Sequence, residues 1–173
     1  DYAVTNFGLN TKYHASQDAP AVIYYGDFEG RGRLRVIEAE YEHDILLPVR
    51  GKSCSTRAMP HLAEQFKTYH EFALASLTKI YEPEKLQAAT RLEATTLESG
   101  LLVNDGSGRF TFRPFPRITQ IAPGFGVSMV DVNADGNLDA YVVQNFWSPQ
   151  VETGRMDGGL SQLLMGRGDG TFR

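Results

Sequence analysis

Short runs of β-branched and aromatic residues, broken by glycine-rich turns, recur along the chain. Tyr2-Ala-Val-Thr-Asn-Phe7 and Tyr141-Val-Val-Gln-Asn-Phe146 are nearly the same run, and each has the composition of a strand. Leu101-Leu-Val-Asn-Asp-Gly-Ser-Gly-Arg-Phe110 and Leu163-Leu-Met-Gly-Arg-Gly-Asp-Gly-Thr-Phe172 both read as strand, turn, strand, which predicts two hairpins. A third pair is Asp27-Phe-Glu-Gly-Arg-Gly-Arg-Leu-Arg35 and Asp131-Val-Asn-Ala-Asp-Gly-Asn-Leu-Asp139, with Asp, Gly and Leu at matching positions. Three kinds of element in a fixed order predict a repeat architecture.

The hairpins lie 62 residues apart and the Asp-rich loops 104 apart, so an insertion is expected within the first unit. It runs from about 48 to 99, where the apolar spacing becomes helical. Pro60 suits a first helical position, with Leu62 and Phe66 following on one face. Thr68 and Glu71 have capping-box spacing ahead of Phe72 and Leu77. Pro83 opens a last helical stretch through Ala89.

Composition narrows the function classes. Apolar residues make up 42% and charged residues 22% of 173, the proportions of a globular chain with a core. A net charge of -4 leaves no basic footprint, so nucleic acid is not an expected partner. No run approaches the ~20 apolar residues of a membrane span, so no membrane insertion is expected in this segment. The single cysteine, Cys54, excludes an internal disulfide framework. Seventeen glycines, clustered with Asp and Asn, predict many tight turns and a mainly β fold.

The segment from Phe125-Gly-Val through Asp131-Val-Asn-Ala-Asp-Gly-Asn-Leu-Asp139 to Tyr141-Val-Val143 resembles the FG-GAP repeat, also called the VCBS repeat. The hairpins ending at Gly108-Arg-Phe110 and Gly170-Thr-Phe172 look like that family's outer blade strands. The run Arg50-Gly-Lys-Ser-Cys-Ser-Thr-Arg-Ala-Met-Pro60, ahead of a helical insertion, is similar to one in large bacterial VCBS-repeat proteins of surface or secreted type. The resemblance implies four-stranded blades of a β-propeller, as in the head of integrin α-subunits. It implies 1–20 as the end of a preceding blade, 21–118 as a blade carrying the helical insertion, and 119–173 as a blade carrying a calcium loop. So few units make an incomplete ring. The chain is therefore expected to be a piece of a longer protein, or to self-associate through exposed blade edges.

The loop chemistry points the same way. Calcium takes six to eight oxygens, and alternating side chains of a turning loop can bring Asp131, Asn133 and Asp135 together. Gly136 permits the sharp turn; the carbonyl of Asn137 and the carboxylate of Asp139 would close the shell. The twelfth position, Val142, is no carboxylate, so an EF-hand switch is not expected. The loop holds no sulfur or imidazole, which argues against zinc. In the loop at Asp27, Arg31 and Arg35 replace two ligands, so ion pairs are expected there instead of metal.

Other candidates carry blander readings. Arg167-Gly-Asp169 falls in the turn of its hairpin, as Gly106-Ser-Gly108 does in the other, and reads as a turn rather than an adhesion motif. Cys54 could be a nucleophile with His43, His61 or His70 as base, yet a lone cysteine is usually a small buried hydrophobe. Tyr24, Tyr25, Phe146 and Trp147 are read as packing residues before a sugar-binding surface. No acid/base pair is nominated, which favours binding over catalysis. The expectation is a calcium-binding repeat module of an extracytoplasmic protein (secreted, periplasmic or at the cell surface), acting in protein or glycan binding or scaffolding. The alternatives are a propeller segment of a polysaccharide lyase-like enzyme and a structural spacer.

Overall fold

The computed structural model describes residues 1–150 and 153–173. In chain order, strands β1 (Tyr2–Val4), β2 (Ala21–Gly26), β3 (Arg35–Glu42) and β4 (Ile45–Pro48) come first. Five short helices follow: α1 (Lys52–Ala58), α2 (Leu62–Gln65), α3 (Tyr69–Ala73), α4 (Leu77–Tyr81) and α5 (Pro83–Ala88). Then come β5 (Thr90–Ala94), β6 (Gly100–Asn104), β7 (Phe110–Pro114), β8 (Gly124–Val130), β9 (Asp139–Gln144) and β10 (Gln162–Leu164). A 3-10 turn at Arg117–Ile121 links β7 to β8. The fold is mainly β, with three small antiparallel sheets, none of them closed among the described residues. The chain divides into two compact units, one made of 13–96 and the other of 1–12 with 97–173.

Unit 13–96 holds one sheet in the order β4-β3-β2-β5. Alternation along β2 buries Val22 and Tyr24, and along β3 it buries Ile37 and Ala39. The helices supply the other half of this core, including Leu62, Phe66, Phe72, Leu77, Ile80 and Leu86. None of these helices is long enough to be stable alone, so their apolar faces on the sheet hold them. Local signals set where they begin. Thr68 accepts from the Glu71 N–H at 3.1 Å, and Glu71 accepts from the Thr68 N–H at 2.9 Å, completing the capping box. Pro83 sits at the start of α5, as expected. The helix after Pro60 begins at Leu62. The strand β5 lies past the helical stretch and pairs with β2, Leu92 opposite Ile23. All five of its residues are exposed, so no alternating pattern marks it.

The other unit holds two sheets, β1-β6-β7 and β10-β9-β8. They pack through Leu101, Phe115, Ala140, Val142 and Leu164, with Phe172 set edge-on to Phe115 at 5.3 Å between ring centres. The two predicted hairpins close alike. Asp105 N–H donates to Arg109 C=O at 3.0 Å, and Arg167 N–H donates to Thr171 C=O at 3.0 Å. The glycines at 106, 108, 168 and 170 all take positive φ, which an L side chain rarely adopts. With the turns matched, strand register makes Ala3, opposite Leu101, the counterpart of Tyr141, opposite Leu163. The likeness of Tyr2–Phe7 to Tyr141–Phe146 thus runs one residue out of step with the pairing. The aromatics divide: Tyr24 is buried and Phe146 packs on Phe7 and Phe125, whereas Tyr25 and Trp147 are exposed. Burial was the expectation for all four. Tyr25 falls on the outer parity of β2, and Trp147 follows the end of β9.

Candidate metal centre

The loop Asp131 to Asp139 joins the antiparallel pair β8 and β9, whose register runs from Val130 opposite Asp139 to Gly124 opposite Gln144. A short connection between strands must turn sharply. Gly136 does so at φ +86°, and Ala134 enters the same left-handed region at φ +59°. The turn is then pinned by its own side chains. Asp131 Oδ1 and Asn133 Oδ1 both accept from the Asp135 N–H, at 3.1 and 3.0 Å. Asp131 Oδ2 accepts from Gly136 N–H at 2.8 Å. Asp135 accepts from the Asn133 amide at 2.8 Å and from the Asn137 N–H at 2.9 Å. These donors, the Asn133 amide first, hold the Asp135 carboxyl below the ordinary 3.8. Oxygens of Asp131, Asn133 and Asp135 therefore gather on one exposed turn.

Asp139 behaves differently. It is fully buried at the start of β9, and its two oxygens accept from Val132 N–H at 3.0 Å and Gly166 N–H at 2.8 Å. One carboxylate thus ties the loop to its own base and to the segment after β10. A Cβ on Gly166 would collide with the Leu138 carbonyl, so only glycine brings that N–H close enough. Neither Gly166 nor the buried role of Asp139 was expected from the loop spacing. The one available signal was an aspartate placed as the first residue of an apolar strand.

The donor chemistry fits a hard divalent cation, because every nearby donor is oxygen. Asp131, Asn133 and Asp135 would hold such an ion by their side chains. Asn137 donates its N–H to Asp135 and lies against Gly168. Among the described residues, no group of three or more His, Cys, Asp or Glu side chains forms a ready-made metal cage. The reason is visible in the bonds: the carboxylates of Asp131 and Asp135 cap backbone N–H groups, and Asp139 turns toward Val132 and Gly166.

The loop at Asp27 is the internal contrast. It joins β2 to β3, and Asp27 Oδ2 accepts from Gly32 N–H, as Asp131 Oδ2 does from Gly136. Arg35 stands where the other loop has Asp139, and it donates to Glu29 at 2.9 Å. That ion pair neutralises Glu29 from within the loop; of the two arginines expected to pair there, Arg35 is the one that does. The Gly32 N–H, above all, holds Asp27 below its ordinary 3.8, and the Arg35 guanidinium holds Glu29 below its ordinary 4.5. Lowered values in the folded chain mean stability that is fully present above 3.8 and 4.5 and is lost as pH falls through the lowered values. Acid melts of unit 13–96 should therefore show a fall in stability that the double variant D27N/E29Q partly flattens. An unchanged acid profile in that variant would remove these two carboxylates from the account.

At the turn 167–171, the Asp169 carboxylate accepts from the Thr171 N–H at 2.9 Å and its hydroxyl at 2.6 Å. The tripeptide Arg167-Gly-Asp169 is built into the turn and aligns with Asp105-Gly-Ser107 of the other hairpin, one residue earlier than Gly106-Ser-Gly108. Cys54 lies half-buried in α1. No helix among the described residues is long and apolar enough to cross a membrane. The chain matches no protein-family model, no curated protein and no solved structure.

Proposed function

We propose that the chain is a calcium-stabilised repeat module of the β-propeller type, acting outside the cytoplasm as a binding or scaffolding surface for a protein or glycan. The reading is carried by the Asp131–Asp139 loop. Its oxygens gather on one turn between two strands, and its last carboxylate anchors that turn to the following hairpin. Two further observations support it: the like closure of the two Gly-rich hairpins, and sheets that pack face to face without closing. Asp131, Asn133, Asp135, the Asn137 carbonyl and Asp139 are the proposed ligands, with Asp139 exchanging backbone N–H groups for the ion.

Calcium held by the folded chain alone stabilises it by mass action. If the dissociation constant is about a tenth of the calcium present, the gain is roughly 1.4 kcal/mol. Such a gain should raise the melting temperature by roughly 3–6 °C. Chelator should reverse the rise, and Asp135→Ala should abolish it while leaving the chain folded. Magnesium, which demands a compact octahedron and keeps its waters, should do less. A melting temperature indifferent to both calcium and chelator would end the calcium reading.

A further inference from the structure

The two sheets of unit 1–12/97–173 use opposite faces. Their hairpins share a register, Asn104 opposite Phe110 in one and Gly166 opposite Phe172 in the other. Position by position, Leu101 corresponds to Leu163, Leu102 to Leu164, and Phe110 to Phe172. The burial of each pair is reversed. Leu101 is 8% exposed and Leu163 49%. Leu164 is 3% exposed and Phe172 packs on the core, yet Leu102 is only half-buried and Phe110 is 43% exposed. Ala3 packs against the core while its counterpart Tyr141 is exposed. The β6-β7 sheet therefore turns toward the core the face that the β9-β10 sheet turns away. The packing is front to back.

Front-to-back packing leaves one face of each kind uncovered. On the β6-β7 side it presents Tyr2, Leu102, Phe110 and Phe112, with the Tyr2 and Phe110 rings 5.5 Å apart. On the β9-β10 side it presents Tyr141, Val143, Leu163 and Val130. None of these side chains is charged, so bringing the faces together buries no ion. In the first set Leu102 and Phe110 are the counterparts of Leu164 and Phe172, which pack into the core between the sheets. In the second, Leu163 and Tyr141 are the counterparts of Leu101 and Ala3, which pack on that same core. At these positions the open faces would set apolar against apolar as the buried faces do.

We infer that a second copy of this chain docks head to tail, its Tyr2/Leu102/Phe110 face on the Tyr141/Val143/Leu163 face of the first. The contact is heterologous, so it repeats from copy to copy until it closes or runs on. It covers two apolar faces that a stack of sheets would otherwise leave in water. The inference rests on sheet packing and not on the metal loop, so the two fail separately.

Sedimentation equilibrium on the whole chain in chelator tests it. The mass should rise with concentration. Leu163→Glu and Phe110→Glu, each on one open face, should each weaken self-association by ~10-fold or more while the circular dichroism melt stays unchanged. Mixed one to one, the two variants should form a dimer that does not extend, because each keeps the face the other lacks. A wild-type chain that stays monomeric at every concentration, leaving the faces to a different occupant, would overturn the proposal. So would either variant dimerising with itself as well as wild type does, since that requires like faces to meet.

Discussion

Asp139→Ala lowers the stability of unit 1–12/97–173 by about 1–3 kcal/mol, even with every trace of calcium removed. The carboxylate is fully buried and accepts from two backbone N–H groups, those of Val132 and Gly166. Alanine leaves the buried Gly166 N–H without an acceptor, at a cost of about 1–3 kcal/mol, while the N–H of half-exposed Val132 turns to water. Asp139→Asn keeps one acceptor oxygen but points an NH2 at a donor, so its loss should fall between wild type and alanine. Urea titrations in chelator, followed by a probe within this unit, measure all three chains. A metal-free Asp139→Ala chain as stable as wild type would show that the carboxylate serves only an ion. Asp135→Ala is the control, because the Asp135 carboxylate is exposed and should matter little until calcium is added.

Phe28→Ala should destabilise unit 13–96 by about 3–5 kcal/mol, the cost of emptying a buried aromatic site. Phe28 is 2% exposed, although it sits in a loop whose turn is capped by the Asp27 carboxylate. Its ring meets Tyr81 edge-on at 5.6 Å, and that contact joins the Asp27 loop to α4. Alanine therefore opens a void between loop and helix and releases both. Tyr25→Ala, three residues earlier on the outer face of β2, should cost far less. Thermal and urea melts of the two variants would show the contrast, and equal losses would mean that the sheet faces are assigned the wrong way round.

What could be read from the chain was local. The Thr68–Glu71 box, the proline start of α5 and the two Gly-rich turns depend on residues within a few positions of one another. The gathering of Asp131, Asn133 and Asp135 is likewise a property of one turn, and the Arg35–Glu29 pair follows from two charges in one loop. What escaped depends on distant partners. Strand β5 has no alternation because its place is set by β2, from which a meander and five helices separate it. The burial of Asp139 depends on Gly166, and a nine-residue loop pattern holds no trace of that residue. The division of the aromatics also follows from strand parity, which composition does not carry.

The pairing of β1 with β6 sets an order of events during synthesis. Tyr2–Val4 leaves the ribosome well before Gly100–Leu102, whose backbone groups it bonds. At ~5–20 residues per second, the nascent strand spends several seconds unpaired. In that interval 13–96 acquires all four strands of its own sheet and the helices that cover them. The inserted part therefore matures on the ribosome while the part that surrounds it in sequence is still waiting for its second half.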